Sequence, residues 1–335
     1  MKSKELKRVL ILAIILVLPV LFPNAMAQDI SIDVIKMQAE AGRTDLQWML
    51  GHWYYRGTNT IKKNPELAKY WFEKAVAGGY EEAKFELALL YEDEKEFSKA
   101  YNLFFSYANN PQNEIKERVN SPYNLSISKV GGYKYAGIGT DKDLKGAVDW
   151  LEKARKNGLV DGLIALYLCY GELNMQDKEF VIAKEIYEKE GLPIILAQHY
   201  LFGRGCEQNL EIVYNMLTEM ANGKLEFTRP DGGVLSCEIS SQYEAQLYVG
   251  VANYFDKNKA NHYEEAVRWL QSVVNSKETA DSDRGKAMCL LQRCYRFGRG
   301  VKKDLNKANE LEQASHKFLS EDEIYKFSSQ FSASY

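Results

Sequence analysis

The fold is decided by the stretch Gly137-Ile-Gly-Thr-Asp-Lys-Asp-Leu-Lys-Gly-Ala-Val-Asp-Trp-Leu-Glu-Lys-Ala154. Gly137 suits the left-handed residue that ends a helix, and Gly139 allows a tight reversal of the chain. Asp143 is placed to cap the next helix by accepting a backbone N–H that otherwise lacks a partner. Residues at steps of four, three and four then share one helix face: Ala147, Trp150 and Ala154. The stretch therefore predicts a turn between two helices and the whole of the second helix.

Three further copies of this stretch occur along the chain, each with a residue able to cap its second helix: Asn64, Asn209 and Asp304. In every copy the cap is followed at the fourth position by a small or β-branched residue and at the seventh by a large apolar one. The gaps between good copies each leave room for one degenerate copy. The sequence thus predicts about seven helix pairs of roughly 33 to 40 residues, the pattern of an all-α solenoid.

The segment from Tyr295 to Ala308 reads Tyr-x-x-Gly-x-Gly-Val-x-x-Asp-x-x-x-Ala, and this motif resembles the SEL-one-like repeat (SLR) family. The resemblance covers nearly the whole chain after residue 27, although the motif is weak in the second, fourth and sixth pairs. It implies a right-handed α-solenoid of antiparallel helix pairs. It also implies a scaffold that holds proteins or peptides on its curved surface in signalling, secretion or envelope complexes.

Some secreted bacterial members of that family carry a disulfide in each repeat and have been linked to β-lactam binding. The five cysteines of this chain depart from that pattern because they have no regular paired spacing. We expect mostly free, buried thiols, with Cys237 as the best candidate for a bridge. A β-lactam- or peptidoglycan-interacting protein of the cell envelope is therefore kept as the alternative function.

The first 27 residues are typical of a secretory signal peptide. A basic start is followed by an apolar run over 9–22, which is short for a membrane span, and Ala25 and Ala27 suit cleavage before Gln28. We expect export to the periplasm or the outside of the cell, with no transmembrane span in the mature chain. An uncleaved N-terminal anchor is the alternative.

The remaining chain is expected to form a solenoid over 28–319 and a C-terminal cap and tail over 320–335. An insertion at about 222–240 interrupts the repeats, because two short alternating runs flank the turn residues 229–233. This pattern suggests a small β-hairpin, and a long irregular loop is the alternative. Such an insertion could also be the contact of a subunit in an envelope or secretory-pathway complex.

Charge argues against nucleic acid as the main partner. The full chain has 43 Lys and Arg against 46 Asp and Glu, a net charge of −3. Loss of the signal segment would leave about −6, whereas phosphate binding requires a basic face. The partner is therefore expected to be a protein or peptide.

No pattern in the sequence predicts an enzyme, a cofactor or a metal site. The Gly-x-Gly pairs follow predicted helices rather than strands, so they indicate turns and not phosphate-binding loops. Ser126 and Lys129 match S-x-x-K, the nucleophile motif of serine β-lactamases, but its companion motifs are absent. We expect Ser126 to cap a helix instead. The four histidines show no metal-ligand spacing.

A stripe on the first helix of each pair gives the functional prediction. In the first pair it consists of Trp48, His52 and Tyr55, spaced i, i+4 and i+7 beside the core face. The repeat alignment carries it to further candidate partner-binding residues: Tyr135, Gln198, Arg293 and Arg296. If these helices line the concave surface, a groove that changes from aromatic to basic would suit a peptide with an apolar anchor and an acidic segment. The alternative is that the stripe packs against the next repeat.

Overall fold

The computed structural model describes residues 32–113, 119–228 and 232–330. The predicted signal peptide, residues 1–27, lies outside these ranges, as does the end of the predicted tail, residues 331–335. Within them the chain is mainly helical, with one two-stranded sheet and one short 3-10 turn at Pro111–Asn113.

Helices α2 to α15 are the first and second members of seven successive pairs, as the sequence predicts. The pairs are α2 (Thr44–Arg56) with α3 (Pro65–Ala77), α4 (Glu82–Asp93) with α5 (Phe97–Ala108), α6 (Pro122–Ala136) with α7 (Leu144–Lys156), α8 (Leu163–Glu172) with α9 (Gln176–Glu190), α10 (Pro193–Phe202) with α11 (Leu210–Ala221), α12 (Ile239–Phe255) with α13 (His262–Asn275), and α14 (Asp281–Phe297) with α15 (Leu305–Ser315). They are preceded by α1 (Ile32–Glu40) and followed by α16 (Glu321–Ser329).

The chain divides into two compact units, residues 1–143 and 144–335. In the first unit, each helix from α1 to α6 packs on the next in chain order. In the second, α7 to α15 do the same, and the first helices α10, α12 and α14 also contact one another. The fold is an all-α solenoid, and within each unit successive helices bury their apolar faces against one another.

The predicted caps start the second helices. The side chains of Asn64, Asn209 and Asp304 each accept the backbone N–H of the residue three positions later, at 2.9 to 3.1 Å. The backbone N–H of each cap residue also donates to a carbonyl of the first helix. Asp304, for example, donates to the Tyr295 carbonyl at 2.9 Å. Each cap residue therefore ties the two helices of its pair together.

A shorter backbone bond joins the two helices of the pairs whose turns lack the glycines. Glu96 donates to the Tyr91 carbonyl at 2.8 Å and Met175 to the Tyr170 carbonyl at 2.9 Å, each five positions back, whereas Asp304 donates nine positions back. Their left-handed turn residues are Lys95 and Asn174, with φ of 63° and 56°. The degenerate second and fourth pairs thus close with a shorter turn.

The two glycines of the motif have different roles. The first ones, Gly137, Gly203 and Gly298, end their helices in the left-handed conformation, as predicted. The second ones approach the start of the second helix of the preceding pair. A Cβ added at any of them would lie under 3.0 Å from backbone atoms of that helix: Gly139 on Phe97, Gly205 on Gln176 and Gly300 on Tyr263. These glycines are therefore contacts between pairs as well as turn residues.

In α7 and α11 the large buried residue lies one position further along than the sequence indicates, whereas the predicted Trp71 of α3 and Leu311 of α15 are buried. In α7, Ala147 and Ala154 are fully buried, but Leu151 fills the core while Trp150 is only half-buried. Phe72 is likewise fully buried in α3, and a Cβ on Gly51 would lie 2.5 Å from its ring. Gly51 is small because the two helices of the first pair meet there.

The expected start of the sixth helix was wrong. Helix α6 begins at Pro122, and Ser121 is its cap, accepting the N–H of Asn124 at 3.2 Å. Ser126 is fully buried in the second turn, and its hydroxyl donates to the Pro122 carbonyl at 2.7 Å. A serine directly before a proline is the stronger start signal, because proline at the first helical position lacks only an N–H that has no helical partner.

The insertion forms the predicted hairpin. Strands β1 (Glu226–Thr228) and β2 (Val234–Ser236) pair antiparallel, with Phe227 opposite Leu235. The second strand ends earlier than its alternating pattern suggests, because Ile239 already starts α12. At the C-terminal end, Ser320 and Glu323 form a capping box at the start of α16.

Two further observations concern membranes and thiols. Within the described ranges, no helix is both long enough and apolar enough to cross a bilayer. Cys289 and Cys294 carry buried free thiols, and Cys206 and Cys237 carry half-buried ones. Burial raises the pKa of all four thiols, which makes them poor nucleophiles.

Candidate functional site

Two members of the predicted aromatic stripe of the first pair, Trp48 and His52, belong to one connected group of rings. Trp48 meets His52 edge to face, with 4.6 Å between ring centroids, and lies 5.5 Å from the ring of Tyr80. Tyr55, one turn further along α2, has the ammonium group of Lys63 at 5.7 Å from its ring centroid. Trp48, His52 and Tyr55 are all half-buried, so each presents part of its surface to solvent.

The stripe also touches the neighbouring helices. His52 packs edge to face on Phe72 of α3, and its Nε2 lies 3.2 Å from Oε1 of Glu86 on α4, the first helix of the next pair. These contacts are what the packing alternative requires. The exposed parts of the rings leave partner binding as a prediction.

The surroundings of this stripe are acidic. Burial and the nearby carboxylates of Asp93 and Glu86 raise the pKa of Tyr55. Burial and the carboxylate of Glu82 likewise raise the pKa of Tyr80. Glu82 and Asp93 are exposed, and neither forms an ion pair with any residue in the described ranges. An aromatic surface rimmed with carboxylates was not predicted from the sequence.

The other predicted partner-binding residues lie on the first helices of later pairs. Tyr135 and Gln198 are half-buried, and the ammonium group of Lys142 is 5.5 Å from the Tyr135 ring centroid. Arg293 and Arg296 are half-buried on α14. Arg296 pairs with Glu312 of α15 at 2.9 Å, so part of the expected basic end is neutralised within the pair.

The S-x-x-K residues do not form a nucleophile site. Ser126 has no solvent exposure, and its hydroxyl is bound to the backbone of its own helix. Lys129 binds both carboxylate oxygens of Glu92, at 2.9 and 2.7 Å. A serine nucleophile requires an accessible hydroxyl next to its base, and this geometry provides neither.

The second unit contains a group of polar residues that sequence reasoning missed. Glu244 and Tyr248 lie one turn apart on α12, and the carboxylate of Asp283 acts electrostatically on both. Burial and the neighbouring carboxylate of Asp283 raise the pKa of Glu244 to about 7. The sequence signal that could have found these residues is Glu244 itself, a lone carboxylate directly before the apolar stretch from Ala245 to Phe255. It lies four positions before Tyr248, which places both residues on the same face of the helix.

Replacing Glu244 with glutamine should change how stability depends on pH. The pKa of Glu244 is raised in the folded state, so the wild type gains stability from protonation below pH 4.5 and loses it as pH rises through 7. Glutamine does not titrate. The free energy of unfolding of the variant relative to wild type should therefore rise by up to about 3 kcal/mol between pH 5 and pH 8.

Urea unfolding of both proteins at the two pH values measures this difference. Glu188→Gln, which removes an exposed carboxylate of α9, is the control and should show no such rise. A Glu244→Gln difference that is equal at pH 5 and pH 8 would contradict the expectation.

The Sel1 repeat family model matches four segments of the chain, residues 44–80, 125–159, 194–212 and 285–311. Each segment includes one of the four well-formed repeats or part of it. No curated protein matches the chain. Within the described ranges, no three His, Cys, Asp or Glu side chains are grouped as metal ligands.

Two solved structures are similar over most of their length. A Sel1 repeat protein from Oxalobacter formigenes is 17% identical, with 91% of this chain and 92% of that chain covered and a TM-score of 0.45. A protective antigen of uropathogenic Escherichia coli strains, which displays an SLR fold, is 16% identical, with 91% and 94% covered and a TM-score of 0.33. Because both TM-scores are below 0.5, only the repeat matches bear on the family.

Proposed function

Because the chain belongs to the Sel1 repeat family, we propose that it is a non-catalytic scaffold that binds a protein or peptide on its first-helix surface. In the first unit this surface consists of the exposed parts of Trp48, His52, Tyr55 and Tyr135, and in the second unit of those of Gln198, Arg293 and Arg296. Sel1 repeat proteins are generally scaffolds for protein–protein interaction. Which surface of this chain binds, and which partner it binds, are part of the proposal.

The observation that carries the proposal is the environment of Trp48. Its indole N–H is shielded from solvent and has no hydrogen-bond acceptor among the described residues. A buried N–H without a partner is costly, while the exposed part of the same ring is free to pack against a partner. Tryptophan and tyrosine at the centre of a binding surface commonly contribute most of the affinity.

We also propose that the scaffold acts after export. The support is the basic start, apolar run and small-residue cleavage site of residues 1–27, which lie outside the described ranges. The periplasm and the extracellular space both fit. Protein isolated from its host for the binding experiment should begin at Gln28, and an intact Met1 terminus would contradict export by cleavage.

Removing Trp48 and Tyr55 together should abolish capture of the partner. Truncating an aromatic binding centre costs about 2 to 4 kcal/mol of affinity, or thirtyfold and more. Immobilised wild type and Trp48→Ala/Tyr55→Ala protein are each incubated with the envelope or secreted fraction, and the captured proteins are identified and quantified. Candidates are then purified and their Kd values measured against both forms.

The matched control removes two exposed rings elsewhere, Tyr70 on α3 and Tyr325 on α16. This Tyr70→Ala/Tyr325→Ala protein should bind as the wild type does. Equal Kd values for the wild type and the Trp48→Ala/Tyr55→Ala protein would show that the stripe serves packing alone.

A second candidate is a subunit role with the hairpin as the contact. Val234 and Ile239 are 66% and 48% exposed, and a groove of about 440 Å³ runs between the hairpin and α11, lined by Met216, Phe227 and Leu235 among others. In the same capture experiment, replacing residues 224–237 with a short glycine-serine linker should release the partner if the hairpin holds it. Retained binding would rule out this role.

A further inference from the structure

Two aromatic rings lie side by side at the Trp48 end of the first-helix surface. Trp48 lies on α2, and Tyr80 lies in the link directly before α4. Their ring centroids are 5.5 Å apart, and the ring planes are tilted by 35° to each other. Both residues are half-buried, so each ring keeps a part that faces solvent. The two rings therefore form a continuous aromatic surface between the first pair and the second.

Carboxylates of α4 lie beside these rings. Oε1 of Glu86 lies 3.2 Å from Nε2 of His52, which follows Trp48 by one turn of α2. Helices α2 and α4 are both first helices and run in the same direction, so one turn back from this contact Glu82 lies next to Trp48. Burial and then the Glu82 carboxylate raise the pKa of Tyr80, as a neighbouring negative charge should. Glu82 thus lies at the edge of the aromatic surface.

The Glu82 carboxylate has no cation of its own. Within the described ranges it forms no ion pair and no hydrogen bond, and the nearest cation along α4, Lys84, is bound to Glu81 at 2.7 Å. Asp45, the other carboxylate that acts on the same tyrosine, is bound by Arg43 at 2.7 Å. Glu82 therefore brings an uncompensated negative charge to the two rings.

Other aromatic rings of the first unit have a lysine of the chain beside them. The ammonium group of Lys63 lies 5.7 Å from the Tyr55 ring centroid, and that of Lys74 lies 4.6 Å from the Tyr70 ring centroid. Among the described residues, no lysine or arginine lies over either of the two rings at the Trp48 end. Ring faces and a carboxylate both attract a cation. This end of the surface thus combines both groups and has no cation from its own chain.

We propose that Trp48, Tyr80 and Glu82 bind an arginine side chain of the partner protein or peptide. The guanidinium is planar and weakly hydrated, so it can stack on the exposed ring faces while its N–H groups donate to the Glu82 carboxylate. This inference rests on the proposed function, because it names what the first-helix surface binds at its Trp48 end. It adds a basic residue to the apolar anchor that the sequence predicts there.

Two peptides test the charge of the bound side chain. They are acetyl-Leu-Ala-Arg-Ala-Leu-amide and the same peptide with citrulline, a neutral residue of the same shape, in place of arginine. Binding to the whole chain is followed by the backbone and indole N–H signals in nitrogen-15 NMR. The arginine peptide should bind about tenfold more tightly, because it adds the stacked cation and the ion pair. Equal Kd values for the two peptides would overturn the proposal, as would no binding of the arginine peptide at millimolar concentration.

Removing the Glu82 charge tests the carboxylate. Glu82→Gln should weaken binding of the arginine peptide about fivefold and leave that of the citrulline peptide unchanged, because only the ion pair is lost. Glu66→Gln is the matched control, since Glu66 is also an exposed carboxylate in the first turn of its helix, α3. It should bind both peptides as the wild type does. Equal Kd values of the arginine peptide for the two variants would overturn the proposal.

The Trp48→Ala/Tyr55→Ala protein separates this inference from the proposed function. If that variant loses the native partner while the wild type binds the arginine and citrulline peptides equally, the aromatic surface is confirmed and the arginine site is overturned. If the wild type prefers the arginine peptide and the variant still captures the native partner, the arginine site is supported and the surface proposed for that partner is wrong.

Discussion

Replacing Gly300 with alanine should destabilise the second unit by about 3 kcal/mol or more. Gly300 has a φ of 65°, which disfavours any side chain, and an added Cβ would lie under 3.0 Å from the backbone of Tyr263 and Glu264. Helix α13 cannot move away without breaking its contacts with α12 and α14. The cost is therefore the backbone strain together with separation of two helix pairs.

Gly79→Ala is the matched control, because it separates strain from contact. Gly79 has a similarly positive φ of 86°, but an added Cβ would meet no atom within 4 Å. Its expected cost is only the left-handed conformation, about 1 kcal/mol. Urea unfolding followed by circular dichroism gives both values. Equal losses for the two variants would show that the second glycine serves the turn alone.

These glycines illustrate what the sequence can and cannot show. The recurring Gly-x-Gly turns and the capping residues that follow them predicted the turns, the caps and the number of helix pairs, because those features follow from local backbone chemistry. The approach of Gly300 to Tyr263 is a contact between residues 37 positions apart. Its distance depends on how two pairs stack, and no local pattern specifies that.

The start of α6 also shows which features a local sequence pattern predicts and which it does not. The turn at Gly137 was predicted, while the start of the helix was placed at Ser126 instead of Pro122. Two serines near a proline offer competing caps. Both serines are buried, and Ser121 is the cap because it directly precedes the proline.

In the candidate sites, too, spacing within a helix was predictable and contacts between repeats were not. The helical spacing of Trp48, His52 and Tyr55 identified a common stripe, but it could not reveal that Glu86 of the next pair faces His52. The contact of the Tyr167 and His199 rings was missed altogether, because the two residues come from different repeats. Only the packing of successive repeats brings such rings together.

Replacing Arg204 with methionine should be as damaging as a large core truncation, at about 3 to 5 kcal/mol. The Arg204 guanidinium lies 2.5 Å from the Glu179 carboxylate, whose side chain is only 3% exposed. Methionine keeps the length of the side chain but leaves that carboxylate buried without a cation. Tyr167 remains as a hydrogen-bond partner of Glu179, which does not replace the lost charge.

A double variant shows whether the loss comes from the stranded charge. Glu179→Gln/Arg204→Met removes both charges, so it should recover most of the stability lost in Arg204→Met, since a buried ion pair adds little over neutral groups of similar size.

Lys326→Met is the comparison, because its pair with Asp322 is about 70% exposed on both sides and should contribute less than about 1 kcal/mol. If Arg204→Met costs no more than Lys326→Met in urea unfolding, Glu179 is reached by water and the pair does not hold α9 to the turn after α10. If the double variant is no more stable than Arg204→Met, the loss comes from the packing of the arginine stem rather than from its charge.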